Sequence, residues 1–466
     1  MTASWKLLSM EIHNMKNVEQ GTLNFINKES VNKVTGIYGQ NGSGKTTFVD
    51  CLDIVRNLLL NERSNKKIVD ILNEEKIGSI KTVFRYDEKV DIEYFVSFKK
   101  EMSEQMSLFN SMSNQTVDKV KVIQESLIMK ELFFNAKPNT IISYRMENKE
   151  EDFSPKSRFP MSKGNRELFK LIVRNSVDND SSIIFSKPMQ NYLSETDKLD
   201  SRLKEYYQSF FSDLPLNIFV YTNDMYGLIN IDSNIPMIFS YRTPNGNVLG
   251  RIHLPANRSG ILTKKMLDVA TNILEQINQV LPYIIPDLTL DIRVLNEQLS
   301  KDNERVYNIE VMAQKVDTAI PLRCESDGVK KIVAILSSLI SVYGSPNAIV
   351  AIDELDSGIF EFLLGEIIDI LNKGSKGQLI FTSHNLRPLE VLDDKSIIFT
   401  TANSKDRYLN GGLSIKKTNN LRDVYLRNIQ ISNDENRLYD KTNSFRMKQS
   451  FKKASKHVVI ENLEVI

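Results

Sequence analysis

Residues 39–46 read GQNGSGKT and match the pattern G-x-x-x-x-G-K-[ST]. Glycines at these positions let the backbone turn its N–H groups toward phosphate oxygens, and a helix that starts there adds its positive end. In this pattern Lys45 reaches the β and γ phosphates of a nucleotide, and the Thr46 hydroxyl ligates Mg²⁺. The segment therefore predicts a phosphate-binding loop for ATP with Mg²⁺.

The sequence around this loop supplies the context that the pattern requires. A β-rich run at 34–38 precedes it, and an apolar-periodic segment at 46–60 predicts a helix after it. Farther along, helix and buried strand alternate at 328–343, 348–352, 359–372 and 378–382. Such alternation predicts an α/β fold with a parallel sheet that is covered on both faces.

Two carboxylates follow the predicted strand 348–352. A parallel sheet delivers the ends of its strands to one edge, so Asp353 and Glu354 are expected beside the phosphate loop. We expect Asp353 to hold Mg²⁺, directly or through water, and Glu354 to polarise the attacking water as general base. An exposed acidic turn after a core strand is the alternative.

A histidine follows the next predicted strand, 378–382. His384 is expected to contact the γ phosphate and to sense its loss, since it stands at the end of a core strand near the same edge. A structural histidine satisfied by backbone groups is the alternative.

Composition places the chain among ordinary water-soluble proteins. Hydrophobic residues make up 41% and charged residues 26%, and Lys+Arg 60 nearly balance Asp+Glu 59, so nothing pushes the whole chain toward nucleic acid. The two cysteines, Cys51 and Cys324, exclude a disulfide scaffold and a zinc cluster. The first 16 residues lack the apolar core of a signal peptide, and no uncharged run is long enough to span a bilayer. We expect a cytoplasmic protein without a membrane partner.

The chain divides into four predicted regions. They are an N-terminal ATPase lobe with the phosphate loop and an antiparallel β-lobe (1–146), a mostly helical insertion (147–287), a C-terminal ATPase lobe (288–420) and a basic tail (421–466). The β-lobe contains strands at 5–12 and 21–25, a hairpin at 81–86 and 90–99, a polar mobile loop at 101–118, and strands near 119–128 and 140–146. The tail carries Lys441, Arg446, Lys448, Lys452, Lys453 and Lys456, which could form a local basic patch.

These motifs, in this order, resemble the soluble branch of the ABC ATPase superfamily, which includes RecF and the structural-maintenance proteins. Within it the sequence is most similar to the "AAA family ATPase" group of phage-defence operons, with abortive-infection ATPases and relatives of the overcoming-lysogenisation-defect (OLD) family. The resemblance spans 5–60 and about 288–400. It implies a P-loop NTPase fold of ABC type, an ATPase head with an antiparallel β-lobe and a helical insertion.

The resemblance also implies site residues beyond the loop itself. It identifies the segment 325–331 as the signature loop, where Ser326 and Gly328 bind the γ phosphate of the opposite subunit's ATP; a helix-capping serine is the alternative. It matches Lys16 to a basic residue that approaches the phosphates, although a solvated lysine explains it as well. The glutamine of the Gln-loop is not assigned, with Gln105 and Gln124 as candidates. The implied nucleotide contacts are Lys16, Gly39, Asn41, Gly42, Ser43, Gly44, Lys45, Thr46, Thr47, Ser326 and Gly328.

By the same resemblance, the chain is expected to work as a homodimer, or as a larger assembly of head-to-tail dimers, that closes around ATP. The first hypothesis is a sensor or scaffold ATPase of an antiviral system with a separately encoded effector nuclease, because the sequence after His384 shows no nuclease constellation. The second is a RecF-like repair ATPase that binds DNA. A P-loop protein without turnover is disfavoured, since both Asp353 and Glu354 are present.

Overall fold

A computed structural model provides the coordinates of the protein. It describes residues 4–27, 30–62, 65–73, 76–105, 115–133, 136–147, 150–160, 162–179, 181–222, 234–243, 246–255, 258–300, 302–411, 420–431, 437–439 and 443–455. The strands are β1 (Trp5–Met15), β2 (Val18–Asn24), β3 (Ile26–Asn27), β4 (Ser30–Val31), β5 (Val34–Tyr38), β6 (Gly78–Tyr86), β7 (Val90–Gln105), β8 (Gln115–Glu131), β9 (Asn139–Glu147), β10 (Glu150–Ser154), β11 (Ile218–Tyr221), β12 (Asn234–Thr243), β13 (Gly246–Pro255), β14 (Gly260–Thr263), β15 (Thr289–Leu299), β16 (Arg305–Lys315), β17 (Thr318–Pro321), β18 (Ile349–Ile352), β19 (Gln378–Thr382), β20 (Ile397–Thr400) and β21 (Tyr408–Asn410).

The helices lie between these strands and after them. They are α1 (Lys45–Leu59), α2 (Asn65–Ile71), α3 (Lys163–Asn179), α4 (Lys187–Glu195), α5 (Ser201–Ser212), α6 (Leu214–Asn217), α7 (Lys264–Asn278), α8 (Leu281–Ile284), α9 (Asp327–Gly344), α10 (Glu361–Gly374), α11 (Pro388–Val391), α12 (Leu421–Ile431) and α13 (Ser444–Ala454). Among the described residues, none of these helices combines the length and the apolar character needed to cross a membrane.

The central sheet has the strand order β11-β18-β19-β5-β20-β21, and all its neighbouring pairs are parallel except β20–β21. Strands β5, β18 and β19 are fully buried, as short apolar runs in a two-sided sheet require. Ile37 packs into the core that contains α1, whereas Val34 and Tyr38 pack into the core that contains α9 and α10. The predicted parallel sheet with helices on both faces is therefore confirmed.

A second sheet forms the β-lobe. It is antiparallel throughout, with the order β10-β9-β8-β7-β6-β1-β2. Strand β1 runs three residues beyond its predicted end, to Met15. The prediction of a mobile loop at 101–118 is wrong at both ends. Strand β7 extends to Gln105 and β8 begins at Gln115, and these two residues pair with each other. Backbone pairing with a neighbouring strand outweighs the polar composition there; 106–114 lie outside the described residues.

A buried carboxylate joins the β-lobe to the helices α3–α6. Oε1 of Glu125 accepts hydrogen bonds from the hydroxyls of Tyr94 (2.7 Å) and Ser182 (2.6 Å). Oε2 accepts from the backbone N–H groups of Ile183 (2.8 Å) and Ile184 (3.1 Å). Because an unpaired buried carboxylate is costly, these donors fix the segment before α4 against β8.

The region predicted as a mostly helical insertion has mixed structure. Helices α3 to α6 lie before β11, and α7 and α8 lie after β14. However, β11 joins the central sheet beside β18, and β12 pairs with β13 as a separate ribbon. Strand β11 has four residues, too few to show a period, so the sequence carries no signal for it. The predicted region boundaries themselves stay a prediction.

Candidate functional site

The phosphate loop connects β5 to α1 as its pattern predicts. Lys45 is the first residue of α1 and is 6% exposed. Its ammonium donates hydrogen bonds to the carbonyls of Gly39 (2.8 Å) and Gln40 (3.0 Å), so it lies over the loop. Burial lowers the pKa of Lys45, while the nearby carboxylates of Asp353 and Glu354 oppose that shift. The loop thus places a buried cation where a phosphate would enter.

Strands β20 and β21, which the sequence did not predict, provide side chains that contact the phosphate loop. A Cβ at Gly39 would lie 1.7 Å from Oγ1 of Thr400, so glycine is required there by close approach. The Thr400 hydroxyl also contacts Oγ of Ser43 at 2.5 Å. The hydroxyl of Tyr408 donates a 2.7 Å hydrogen bond to the carbonyl of Gly44. These contacts fix the loop at its start, middle and end.

The acidic end of β18 reaches the same edge of the sheet. Asp353 is fully buried, and its Oδ1 accepts a 2.6 Å hydrogen bond from the hydroxyl of Thr382. The same hydroxyl accepts a 2.8 Å hydrogen bond from the N–H of Glu354. Thr382 is the last residue of β19, which lies between β18 and β5 in the sheet. The structure therefore brings Lys45 and both predicted carboxylates together.

The donor set around Asp353 fits Mg²⁺. Oδ2 of Asp353 is buried and makes no hydrogen bond with the part of the chain that the structure describes. Burial raises the pKa of Asp353, and interaction with the hydroxyls of Thr382 and Thr46 opposes that shift. A buried carboxylate oxygen with an unused lone pair next to a hydroxyl is a suitable pair of ligands for a hard cation. Thr46 and Asp353 are thus the residues that would hold the metal.

His384 stands beside this group, two residues after β19. The backbone N–H groups of His384 (3.2 Å) and Asn385 (3.1 Å) both donate to Oδ2 of Asp356. Partial desolvation and the charge of Lys45 lower the pKa of His384, whereas the carboxylates of Asp353 and Glu354 oppose the shift. His384 thus follows the end of β19, the strand between β18 and β5 in the central sheet.

The predicted signature residues lie at the start of α9. Ser326 is exposed and caps the helix, since its hydroxyl accepts from the N–H of Val329 at 3.4 Å. Gly328 packs directly on Gly358, the residue that ends the turn after β18; a Cβ at Gly328 would lie 2.4 Å from the Gly358 carbonyl oxygen. The helix start that carries the exposed serine therefore packs, through Gly328, against the acidic turn of its own chain.

The remaining predicted nucleotide contacts surround α1. The ammonium of Lys16 bonds Oδ2 of Asp50 in α1 at 2.5 Å. The Thr47 hydroxyl donates to Oδ1 of Asn17 at 3.2 Å, and Asn41 is exposed at the tip of the loop. Lys16 thus lies beside the loop, paired with a carboxylate rather than fully solvated.

One residue of the site was missed by the sequence analysis. Lys331, in α9, is 7% exposed, and its ammonium donates a 2.6 Å hydrogen bond to the carbonyl of Glu354. Burial lowers its pKa to about 8, although the carboxylates of Asp356, Glu354 and Asp353 oppose the shift. Lysine is rarely buried in helices, so the sequence carries no signal beyond its place at the end of the signature loop.

A family model described as an AAA ATPase domain matches residues 6–387. The chain belongs to this AAA ATPase domain family. Its fold is a P-loop NTPase of ABC type, an ATPase head with an antiparallel β-lobe. No curated protein matches the chain.

Solved structures give distant likenesses to the AAA ATPase domain described here. An SMC head bound to the C-winged helix domain of ScpA has 12% identity and a TM-score of 0.42, covering 87% of this chain and 98% of that one. The SMC head domain from Thermotoga maritima has 12% identity and a TM-score of 0.36, with coverage of 87% and 98%. RecF with ATP has 12% identity and a TM-score of 0.32, with coverage of 82% and 93%. The family assignment follows from the family model.

Proposed function

We propose that this AAA ATPase domain protein hydrolyses ATP with Mg²⁺ at the 39–46 loop. Two copies would close head to tail, so that Ser326 of each covers the ATP of the other. The observation that supports hydrolysis is the meeting of Lys45, His384, Asp353 and Glu354 at one edge of the central sheet. The observation that supports closure is that Ser326 is exposed. A serine at a helix start offers N–H groups to a phosphate from another chain.

The chemistry that these residues support is attack of water on the γ phosphorus. The bond to the β–γ bridging oxygen breaks, and ADP and phosphate leave. Glu354 orients the water and draws its proton, while Lys45 stabilises the charge on the phosphate oxygens. Mg²⁺, when held by Thr46 and Asp353, neutralises phosphate charge. His384 contacts the γ phosphate with its imidazole, whose pKa is lowered by desolvation and by the charge of Lys45.

The test uses the full chain with Mg²⁺ and ATP. Lys45→Ala is expected to abolish nucleotide binding, and Glu354→Gln to bind ATP but turn over at least about 100-fold more slowly. Light scattering of the Glu354→Gln variant is expected to show a doubled mass with ATP. The same variant with Ser326→Arg added should stay at the mass of the apo protein. A wild-type chain that binds ATP without turnover, or a mass that ATP never changes, would refute the proposal.

We further propose that the ATPase works in the cytoplasm as sensor or scaffold of an antiviral system, with a separately encoded effector nuclease. Support comes from the resemblance of its motif order and compact insertion to ATPases of phage-defence operons. Co-purification with the product of the adjacent gene tests the partnership. Loss of phage resistance in a Lys45→Ala strain tests the role, and unchanged resistance contradicts it.

A second candidate, an ATPase that binds DNA, is favoured by one observation. The helix Ser444–Ala454 is exposed along its whole length and carries Arg446, Lys448, Lys452 and Lys453 with no acidic residue. Such a helix suits the phosphate backbone of a polyanion. Lys441 and Lys456, the outer members of the predicted patch, lie outside the described residues. ATP-dependent and salt-sensitive DNA affinity that falls when Lys452 and Lys453 become Glu would select this function.

A further inference from the structure

The carboxylate proposed as general base sits on an unusual backbone. Glu354 has φ of 46°, in the left-handed region that non-glycine residues rarely adopt. Such a conformation persists when neighbouring groups hold it, and it is common at functional sites. The backbone conformation at Glu354 decides where its side chain points.

Two side chains hold the backbone of Glu354 from opposite sides. Its N–H donates to the hydroxyl of Thr382 at 2.8 Å, and Thr382 belongs to the strand next to β18. Its carbonyl accepts the 2.6 Å hydrogen bond from Lys331 in α9. The first anchor belongs to the rigid sheet, whereas the second belongs to the helix that Ser326 begins.

The same helix touches the turn after β18 at a second point. Gly328 packs on the backbone of Gly358, four residues after Glu354. The contact leaves no room for a side chain, so the start of α9 and the end of this turn must shift together. Lys331 and Gly328 thus join the segment 326–331 to both ends of the turn 354–358.

We propose that Lys331 is a positioning residue that couples the seating of the Ser326 helix start to the orientation of the Glu354 carboxylate. This inference rests on the proposed function, in which ATP of a second copy contacts Ser326. Binding of the partner's ATP at Ser326 fixes the position of the start of α9. The hydrogen bond from Lys331 then transmits that position to the Glu354 carbonyl. Hydrolysis then requires the partner's nucleotide to be in place on both sides.

The adjacent lysine provides a matched control. Lys330 is also buried, at 8% exposed, but its ammonium pairs within its own helix with Oδ1 of Asp327 at 2.9 Å. Lys330→Met and Lys331→Met therefore remove the same group from neighbouring buried sites. They differ in whether the lost contact reaches Glu354.

The experiment measures kcat, KM and equilibrium affinity for a fluorescent ATP analogue in full-length variants. Lys331→Met is expected to lower kcat by about 10- to 100-fold, since small displacements of a catalytic group cost that much, while KM and affinity stay within about threefold. Lys330→Met is expected to leave all three within about threefold of wild type. ATP-driven dimerisation should survive in both.

The outcomes separate this inference from the proposed function. A wild-type chain with turnover that Glu354→Gln abolishes, together with a fully active Lys331→Met variant, overturns the role of Lys331 alone. A wild-type chain without turnover overturns the proposed function instead. If thermal unfolding shows that Lys331→Met does not fold, Lys331→Leu, which also lacks an N–H donor, is judged by the same kcat and KM criteria; equal losses in the Lys330→Leu variant would also overturn the role.

Discussion

Thr382 donates a 2.6 Å hydrogen bond from its hydroxyl to Oδ1 of the buried Asp353. Because the hydroxyl oxygen of Thr382 also accepts from the N–H of Glu354, one side chain organises both carboxylate residues of the site. Thr382 ends β19, the strand that leads to His384 and lies between β18 and β5.

Replacing this hydroxyl tests its role. Thr382→Val leaves Oδ1 of Asp353 and the N–H of Glu354 without their partner, and we expect the free energy of unfolding to fall by about 1–3 kcal/mol. Turnover should fall as well, because both carboxylates lose their orientation. Thr382→Ser keeps the hydroxyl and should stay near wild type in urea unfolding and ATPase assays. Equal behaviour of the two variants would contradict this assignment.

The contact between Gly328 and Gly358 gives a second prediction. Gly328→Ala places a Cβ 2.4 Å from the Gly358 carbonyl oxygen, and relief of this overlap is expected to cost about 1–3 kcal/mol of stability. It should also displace Ser326 and weaken ATP-driven dimerisation, while ATP binding to the single chain is retained. Gly344→Ala is the control, because no described atom lies within 4 Å of its added Cβ. Unfolding curves and light scattering would show whether the two variants differ; if they do not, the backbone contact is unimportant.

Tyr408 is predicted to stabilise the phosphate loop through a single hydroxyl. Tyr408→Phe removes the 2.7 Å hydrogen bond to the Gly44 carbonyl and should cost about 0.5–1.5 kcal/mol, with weaker ATP binding. Tyr144→Phe is the matched control, since the buried hydroxyl of Tyr144 makes no hydrogen bond with any residue that the structure describes. Calorimetric titration with ATP compares them, and equal affinities would rule out this role.

The electrostatic effect of Lys45 on His384 can be read from a titration. Desolvation and the Lys45 ammonium both disfavour the imidazolium form and lower the pKa of His384. Lys45→Met removes the positive charge, so the pKa of His384 is expected to rise. NMR can follow this ring, because the chain has four histidines. Lys16→Met, which removes a lysine paired with Asp50, should leave the His384 curve unchanged; an unchanged curve for Lys45→Met would place His384 away from the loop.

The long helices and the fully buried strands could be predicted from the sequence. Val34–Tyr38 and Gln378–Thr382 lie where the apolar runs predicted them, because strands buried on both faces must be continuously apolar. The apolar-periodic segment predicted as a helix at 46–60 is the helix Lys45–Leu59. The motif residues Lys45, Asp353 and Glu354 share one edge because parallel strands end there.

The parts that sequence could not supply are short or depend on tertiary contacts. Ile397–Thr400 and Tyr408–Asn410 have too few residues to show a period, yet they carry Thr400 and Tyr408 to the phosphate loop. Lys331 falls within the predicted signature loop without a role of its own, and only the folded chain shows its ammonium at the Glu354 carbonyl. The polar segment around 101–118 was assigned to a loop, although its described residues extend a hairpin whose pairing is invisible in composition.

The claim that two chains complete each site is tested most directly by mixing two inactive variants. Lys45→Ala destroys the phosphate loop but keeps Ser326, and Ser326→Arg does the reverse, so a head-to-tail mixed dimer contains one intact site. With ATP, the two differently tagged variants are predicted to co-purify as a mixed dimer held by that one site, although neither variant dimerises alone. If the two variants do not co-purify with ATP, the site is not shared between copies and the account is wrong.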